Sequence, residues 1–178
     1  MTIDLNSANA ALRDASAAEV VRWALSLGKP TIATTSMGRN AAVMLHLVSQ
    51  VDASVPTVWI DTGYNLRDTY VVAERLIRDL ALDMRVYSPL MTSERRNAIM
   101  GGIPTVDEEE RHRDFTRQVK LEPFARALDD LKPEIWLTGI RREETEHRKT
   151  LDIVSMDDRG IIKVAPIFSW SETDVDAY

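Results

Sequence analysis

Four cations, Arg141, Arg142, Arg148 and Lys149, crowd into nine residues with three carboxylates, Glu143, Glu144 and Glu146, set among them. A guanidinium offers paired N–H groups that take phosphate or sulfate bidentately, a geometry that an ammonium cannot copy. The stretch is therefore a candidate site for a nucleotide-sized anion. It directly follows the strand-like run EIWLTGI (Glu134 to Ile140), which would hold it where a parallel sheet ends. The near balance of charge leaves a solvated loop as the competing account. His147, in the same stretch, would either add a titratable contact to the anion or point into water.

Two earlier segments repeat the pattern of an apolar run breaking into a polar turn: PTIATTSMGRN (Pro30 to Asn40) and TVWIDTGYN (Thr57 to Asn65). In the first, small residues let backbone N–H groups point at an anion, and the following helix adds the positive end of its dipole. Thr35, Ser36 and Gly38 form the expected cradle. Capping of the helix by Ser36 or Asn40 accounts for the same letters. It is not a Walker loop, because no Gly-Lys-Ser/Thr is present. In the second, Thr62 and the flexible Gly63 would let the backbone approach a base or ribose, while Asp61 could equally cap the next helix.

The elements that must position these loops follow from periodicity. Ser16 with Glu19 reads as a capping box, opening a helix that Gly28 closes. TIATTS reads as a strand followed by a helix over AAVMLHLVSQV, with Val43, Leu45, Leu47, Val48 and Val51 apolar. TVWI is a strand, followed by a helix in which Tyr70, Val71, Leu76, Ile77 and Leu80 recur, and DMRVYSP is a third strand. From Ser93 to Gln118 the pattern gives way to charged runs, expected as a mobile, partly helical excursion in which Asp107 to Glu110 form a solvated face. KLEPFARALDDL is a helix, EIWLTGI a strand, and LDIVSM and IIKVAPI are strands around a turn at Asp158 to Gly160. A last helix opens near Ser171. Strands and helices alternating at these lengths imply right-handed crossovers and a doubly wound, mostly parallel α/β sheet with helices on both faces. His46 reads as a core or boundary residue and Met44 and Met100 as core filler.

With 178 residues, 44% of them hydrophobic, the chain is sized for a single domain. A net charge of -6 argues against non-specific nucleic-acid binding, so local cations must meet any anionic ligand. With no cysteine and three histidines, thiolate metal sites, disulfides and thiol catalysis within these residues are excluded, and a zinc site is not expected. The opening residues lack a basic-then-apolar signal pattern and no apolar run approaches a membrane span, so a cytoplasmic location is expected.

In their order, TTSMGRNAAVMLHLV, WIDTGYNLRDTY, VKLEPFARAL, GIRREETEHR and GIIKVAPIFSWSETDVDAY resemble the phosphoadenylyl-sulfate reductases, members of the adenine nucleotide alpha hydrolase-like group. The resemblance runs from about Asn9 to Tyr178 and implies a five-stranded sheet and a phosphosulfate nucleotide substrate carrying a 3′-phosphate. It places a modified phosphate loop on Thr35 to Asn40, including Arg39 and Asn40, and a nucleotide motif on Asp61 to Gly63. An arginine loop falls on Gly139 to Arg148, with Arg141, Arg142, His147 and Arg148, and Lys120 matches a lysine near the phosphosulfate. Glu144 and Asn40 stand where glutamine is frequent. Phe115 and Thr116 occupy the places of a cysteine pair found in relatives with an iron–sulfur cluster, so no cluster and no other cofactor is expected. The resemblance further implies a nucleophilic cysteine beyond residue 178, thioredoxin or glutaredoxin as reductant, and a homodimer.

Two other functions fit part of the pattern. An ATP pyrophosphatase-type nucleotidyltransferase shares the VMLHL helix and the Asp-Thr-Gly turn, but Arg39 and Asn40 stand where its loop needs Lys and Asp. A nucleotide-binding module without catalysis fits the absence of cysteine.

Overall fold

The computed structural model describes residues 3–38, 40–146 and 148–178, apart from the Lys149 side chain. Among these residues six strands form one sheet: β1 (Thr31–Thr35), β2 (Thr57–Ile60), β3 (Met84–Tyr87), β4 (Ile135–Leu137), β5 (Val154–Met156) and β6 (Ile162–Val164). Their order is β3-β2-β1-β4-β6-β5, parallel throughout except for β5, which runs antiparallel to β6 at the edge. The doubly wound, mostly parallel architecture is as expected, but the sheet has six strands where the resemblance implied five. The sixth comes from the turn at Asp157 to Gly160. There the Asp157 carboxylate accepts from the N–H groups of Arg159 and Ile161, both at 2.9 Å, and Gly160 takes φ +81°. So tight a connection can join only antiparallel strands, and it adds β5 outside the crossover pattern.

Among the described residues eight α-helices complete the fold: α1 (Leu5–Leu12), α2 (Ala17–Ser26), α3 (Ala41–Asp52), α4 (Arg67–Asp79), α5 (Ser93–Met100), α6 (Glu109–Thr116), α7 (Glu122–Leu131) and α8 (Glu172–Ala177). The capping box of α2 is present, with Glu19 Oε2 accepting from the Ser16 N–H at 2.7 Å. Helix α1 has no counterpart in the sequence reading, although Asp4 caps it by accepting from the N–H of Asn6 at 3.0 Å.

Alternation along the strands divides the core between the two faces of the sheet. Ala33, Ile135 and Leu137 pack with α2 and with Met44, Leu47 and Val48 of α3. Ile32, Val58 and Trp136 pack with Phe124, Ala127 and Leu128 of α7. Helix α4 lies outside both clusters; Ala73 is its one fully enclosed residue, and Val71, expected on the apolar face, is exposed.

The charged excursion after β3 is partly helical, and its organising contact is Arg96. This arginine of α5 is only 4% exposed, its guanidinium sits 4.5 Å above the Phe115 ring of α6, and its Nε donates to Gln118 at 3.0 Å. A buried cation on an aromatic face escapes any reading of hydrophobic periodicity. Met100, expected in the core, lies at the surface of this segment. His46 is a boundary residue, its Nδ1 2.8 Å from the Tyr178 hydroxyl.

Strands β1, β2 and β3 step successively toward one edge, whereas β4 lands on the other side of β1. The chain therefore changes direction between β1 and β4, and an open α/β sheet leaves a crevice at the carboxyl ends of such a pair.

Candidate functional site

A cleft of about 610 Å³ occupies that crevice, bounded by the loop after β1, the loop after β4 and the start of α7. Its size suits a nucleotide. Its lining combines the polar Thr35, Ser36, Gly38, Asn40, Lys120, Glu144 and Arg148 with the apolar Ile60, Leu121, Phe124, Trp136 and Met44.

The polar lining starts where β1 ends. The Thr35 hydroxyl accepts from the Met37 N–H at 3.0 Å, and Met37 takes the left-handed φ of +50°. Helix α3 opens at Asn40, whose side chain makes no capping bond, and the Ala41 N–H donates to the Gly38 carbonyl at 3.0 Å. The N–H groups that follow carry the positive end of a twelve-residue helix dipole beside the cleft, and they are the natural seat of an anion. The capping role that Ser36 or Asn40 might have played is not used.

Lys120 reaches the cleft from a π-helical turn, Arg117–Leu121, that interrupts the run from α6 into α7. The N–H of Glu122 bonds back to the Arg117 carbonyl, five residues away, which widens the helix by one residue. Arg148 enters from a 3-10 turn, Arg148–Thr150, and pairs with Glu144 of another, Arg142–Glu144.

Among the apolar lining residues, Trp136 is tied to the end of β1. Its indole N–H donates to Thr34 Oγ1 at 2.8 Å, the Phe124 ring lies 5.0 Å away, and Lys163 Nζ sits 4.6 Å from its centre. Gly139 lets the chain after β4 pass close to α3, since a Cβ there would come within 2.8 Å of Met44 Cγ. An aromatic shelf beside an anion cradle matches a planar base joined to a phosphate-type group.

Residues 30–178 match the family described as the phosphoadenosine phosphosulfate reductase domain. The chain belongs to this family. The phosphoadenosine 5′-phosphosulfate reductase of Synechococcus sp. is 36% identical over 175 residues, covering 98% of this chain and 75% of the relative. That of Xanthomonas oryzae pv. oryzae is 37% identical over 182 residues, covering 98% and 72%. Among solved structures, the phosphoadenylyl-sulfate reductase of Candida auris in a phosphate complex superposes with a TM-score of 0.85 at 24% identity, over 100% of this chain and 86% of that one. An NH3-dependent NAD synthetase from Campylobacter jejuni shares the fold more distantly, with a TM-score of 0.57 at 11% identity.

Of the residues that the sequence marked in this phosphosulfate reductase family member, Thr35, Ser36, Gly38, Asn40, Lys120 and Arg148 meet in the cleft. Arg39 and His147 lie outside the described residues. Asp61, Thr62 and Gly63 stand at the end of β2, beside the cleft's lining. Asp61 does not cap α4, whose cap position is Leu66; one of its carboxylate oxygens instead accepts from Gly63 N–H, Asn65 Nδ2 and the Tyr70 hydroxyl at 3.0, 3.0 and 2.8 Å. Burial, reinforced by that carboxylate, pushes the Tyr70 phenol above its ordinary pKa.

The two leading arginines of the family's loop have structural partners. Arg141 is buried, donating to Glu143 and Glu172 at 2.6 Å each, and so ties the loop to α8. Arg142 is exposed and stacks over Phe168, 5.0 Å from the ring centre. The sequence reading missed Trp136, Phe124 and Thr34. Strand alternation carries a signal for the first, because Ile135 and Leu137 turn to one face and leave Trp136 on the other. Among the described residues no helix is long and apolar enough to cross a membrane, and no cluster is arranged to hold a metal ion.

Proposed function

We propose that these residues act as one adenine-nucleotide-binding domain in the thioredoxin-dependent reduction of 3′-phosphoadenylyl sulfate to sulfite and adenosine 3′,5′-bisphosphate. The observation that carries this reading is the pairing, at the β1–β4 crevice, of the uncapped α3 terminus, Lys120 and Arg148 with the aromatic shelf of Trp136 and Phe124. Membership of the reductase family supports it.

In this reaction a thiolate attacks the sulfur of the phosphosulfate. A sulfur–sulfur bond forms as the bond from sulfur to the bridging phosphate oxygen breaks, and adenosine 3′,5′-bisphosphate leaves with that electron pair. A dithiol reductant of the thioredoxin or glutaredoxin kind then releases sulfite from the S-sulfocysteine and is itself oxidised to the disulfide. Negative charge builds on the leaving phosphate, where Lys120, Arg148 and the α3 amides stabilise it without having to reorganise. These 178 residues contain no cysteine, so the thiolate comes from outside them. The apolar shelf orients the base, and Asp61 to Gly63 shape the rim nearest β2.

Isothermal titration with adenosine 3′,5′-bisphosphate tests the reading. Saturable binding that weakens in Lys120→Ala and Arg148→Met is expected. No binding of this nucleotide, or release of pyrophosphate from ATP and Mg²⁺, would overturn it.

A further inference from the structure

We infer that Glu144 is a built-in competitor for the anion in this cleft, and that it sets the affinity for the nucleotide's phosphate-type group by occupying Arg148 when no ligand is bound. The inference rests on the nucleotide-binding reading above.

Glu144 and Arg148 both line the cleft, and their side chains pair there, each about one-third exposed at 33% and 32%. The glutamate is anchored from behind. Its Oε2 accepts from the Arg141 N–H at 3.1 Å, and the buried Arg141 guanidinium lies 3.9 Å from its Oε1. Arg141 is itself held by Glu143 and Glu172, so it stays in place whether or not a ligand arrives. Among the described residues Lys120 is the other cation lining the cleft, and it has no carboxylate partner there.

The two cations therefore meet an incoming anion differently. Lys120 adds a contact. Arg148 exchanges one, because the ligand must draw the guanidinium away from Glu144 and then lie close to a carboxylate that the Arg141 amide still holds. A like charge at that range opposes binding, and the broken ion pair subtracts from the new one. A group with several oxygens, such as phosphate or sulfate, competes for the guanidinium fork better than a single carboxylate does.

The test compares wild-type protein with Glu144→Gln and Asp158→Asn by isothermal titration with adenosine 3′,5′-bisphosphate. The amide of Glu144→Gln keeps an oxygen for the Arg141 N–H and removes the charge. Asp158→Asn makes the same change of net charge at the β5–β6 turn, before β6 and so at the end of the sheet opposite the cleft. Glu144→Gln is expected to bind roughly fivefold tighter, the order of a partly exposed ion pair released, and Asp158→Asn to bind as wild type does. In an Arg148→Met background the gain from Glu144→Gln is expected to shrink to the part that comes from like-charge repulsion alone. No tightening, equal tightening in Asp158→Asn, or a gain undiminished by loss of Arg148 would each overturn the inference. Wild-type protein that does not bind the nucleotide would overturn the functional reading instead, and this inference with it.

Discussion

Asn9 and Val154, 145 residues apart, exchange two hydrogen bonds: Asn9 Nδ2 donates to the Val154 carbonyl and the Val154 N–H donates to Asn9 Oδ1, both at 2.8 Å. The amide side chain behaves as one more residue of strand, satisfying a buried stretch of β5 backbone from α1. Asn9→Ala would leave both groups of Val154 unpaired, at a cost of about 2–4 kcal/mol. Urea denaturation should show this loss, with the affinity for adenosine 3′,5′-bisphosphate unchanged.

Arg141 is expected to matter more for order than for direct contact with the ligand. Arg141→Met removes the cation shared by Glu143 and Glu172 and frees the loop from α8, which should destabilise the fold by about 1 kcal/mol, because both carboxylates are half exposed and are hydrated once the cation is gone. Nucleotide affinity should fall as well, because the tie between α8 and the loop that carries Arg148 is lost. Equal denaturation midpoints for the two proteins would contradict this assignment.

Lys120 is exposed and lies on the cleft wall. Lys120→Ala should weaken nucleotide binding about tenfold at low salt, the order of one charge-assisted hydrogen bond. The remaining affinity should depend less steeply on ionic strength. Titrations at two salt concentrations would check both expectations while leaving the denaturation midpoint as a control.

Much of this was legible in the sequence, and the limits have physical causes. The parallel strands and the loops after β1 and β4 follow from apolar runs ending in small or charged residues. Arg141 was read from its letters as an anion contact, and its burial between Glu143 and Glu172 was not legible there, because a guanidinium held by carboxylates has the same letters as one awaiting an anion. Trp136 was hidden in a run that read simply as strand, since its role depends on the distant Phe124, Thr34 and Lys163. The Asp61 turn was read as a cap or a ligand contact, and its use as an acceptor for Asn65 and Tyr70 depends on how the chain folds back after β2.

Three helix starts should give the protein a shared acid sensitivity. Asp4 is held below the usual carboxylate range by the Ser7 hydroxyl and nearby amides, Glu19 by the Ser16 hydroxyl and amide, and Asp174 by the Ser171 amide and hydroxyl. A carboxylate whose pKa is lower in the folded state contributes stability above its unfolded value, and that contribution disappears as pH falls through the folded value. Capping of α1, α2 and α8 should therefore be intact at neutral pH and fade below about pH 4. Melting temperature followed against pH should fall less steeply over that range in Glu19→Gln, which has already lost one of these groups, than in wild type.

The π-helical turn at Arg117–Leu121 amounts to an insertion that the helix has absorbed without breaking. Removing one residue there would let α6 and α7 merge into an ordinary helix with little rotation of either flank, because the wide turn already takes up the extra residue. Phe115 would keep its place over Arg96, while Lys120, inside the widened turn, would lose the bulge that aims it at the cleft. Chain length in this helix is thus a coordinate of the site in its own right: a single-residue gap in an aligned relative would signal a differently aimed lysine even where every neighbouring letter agreed.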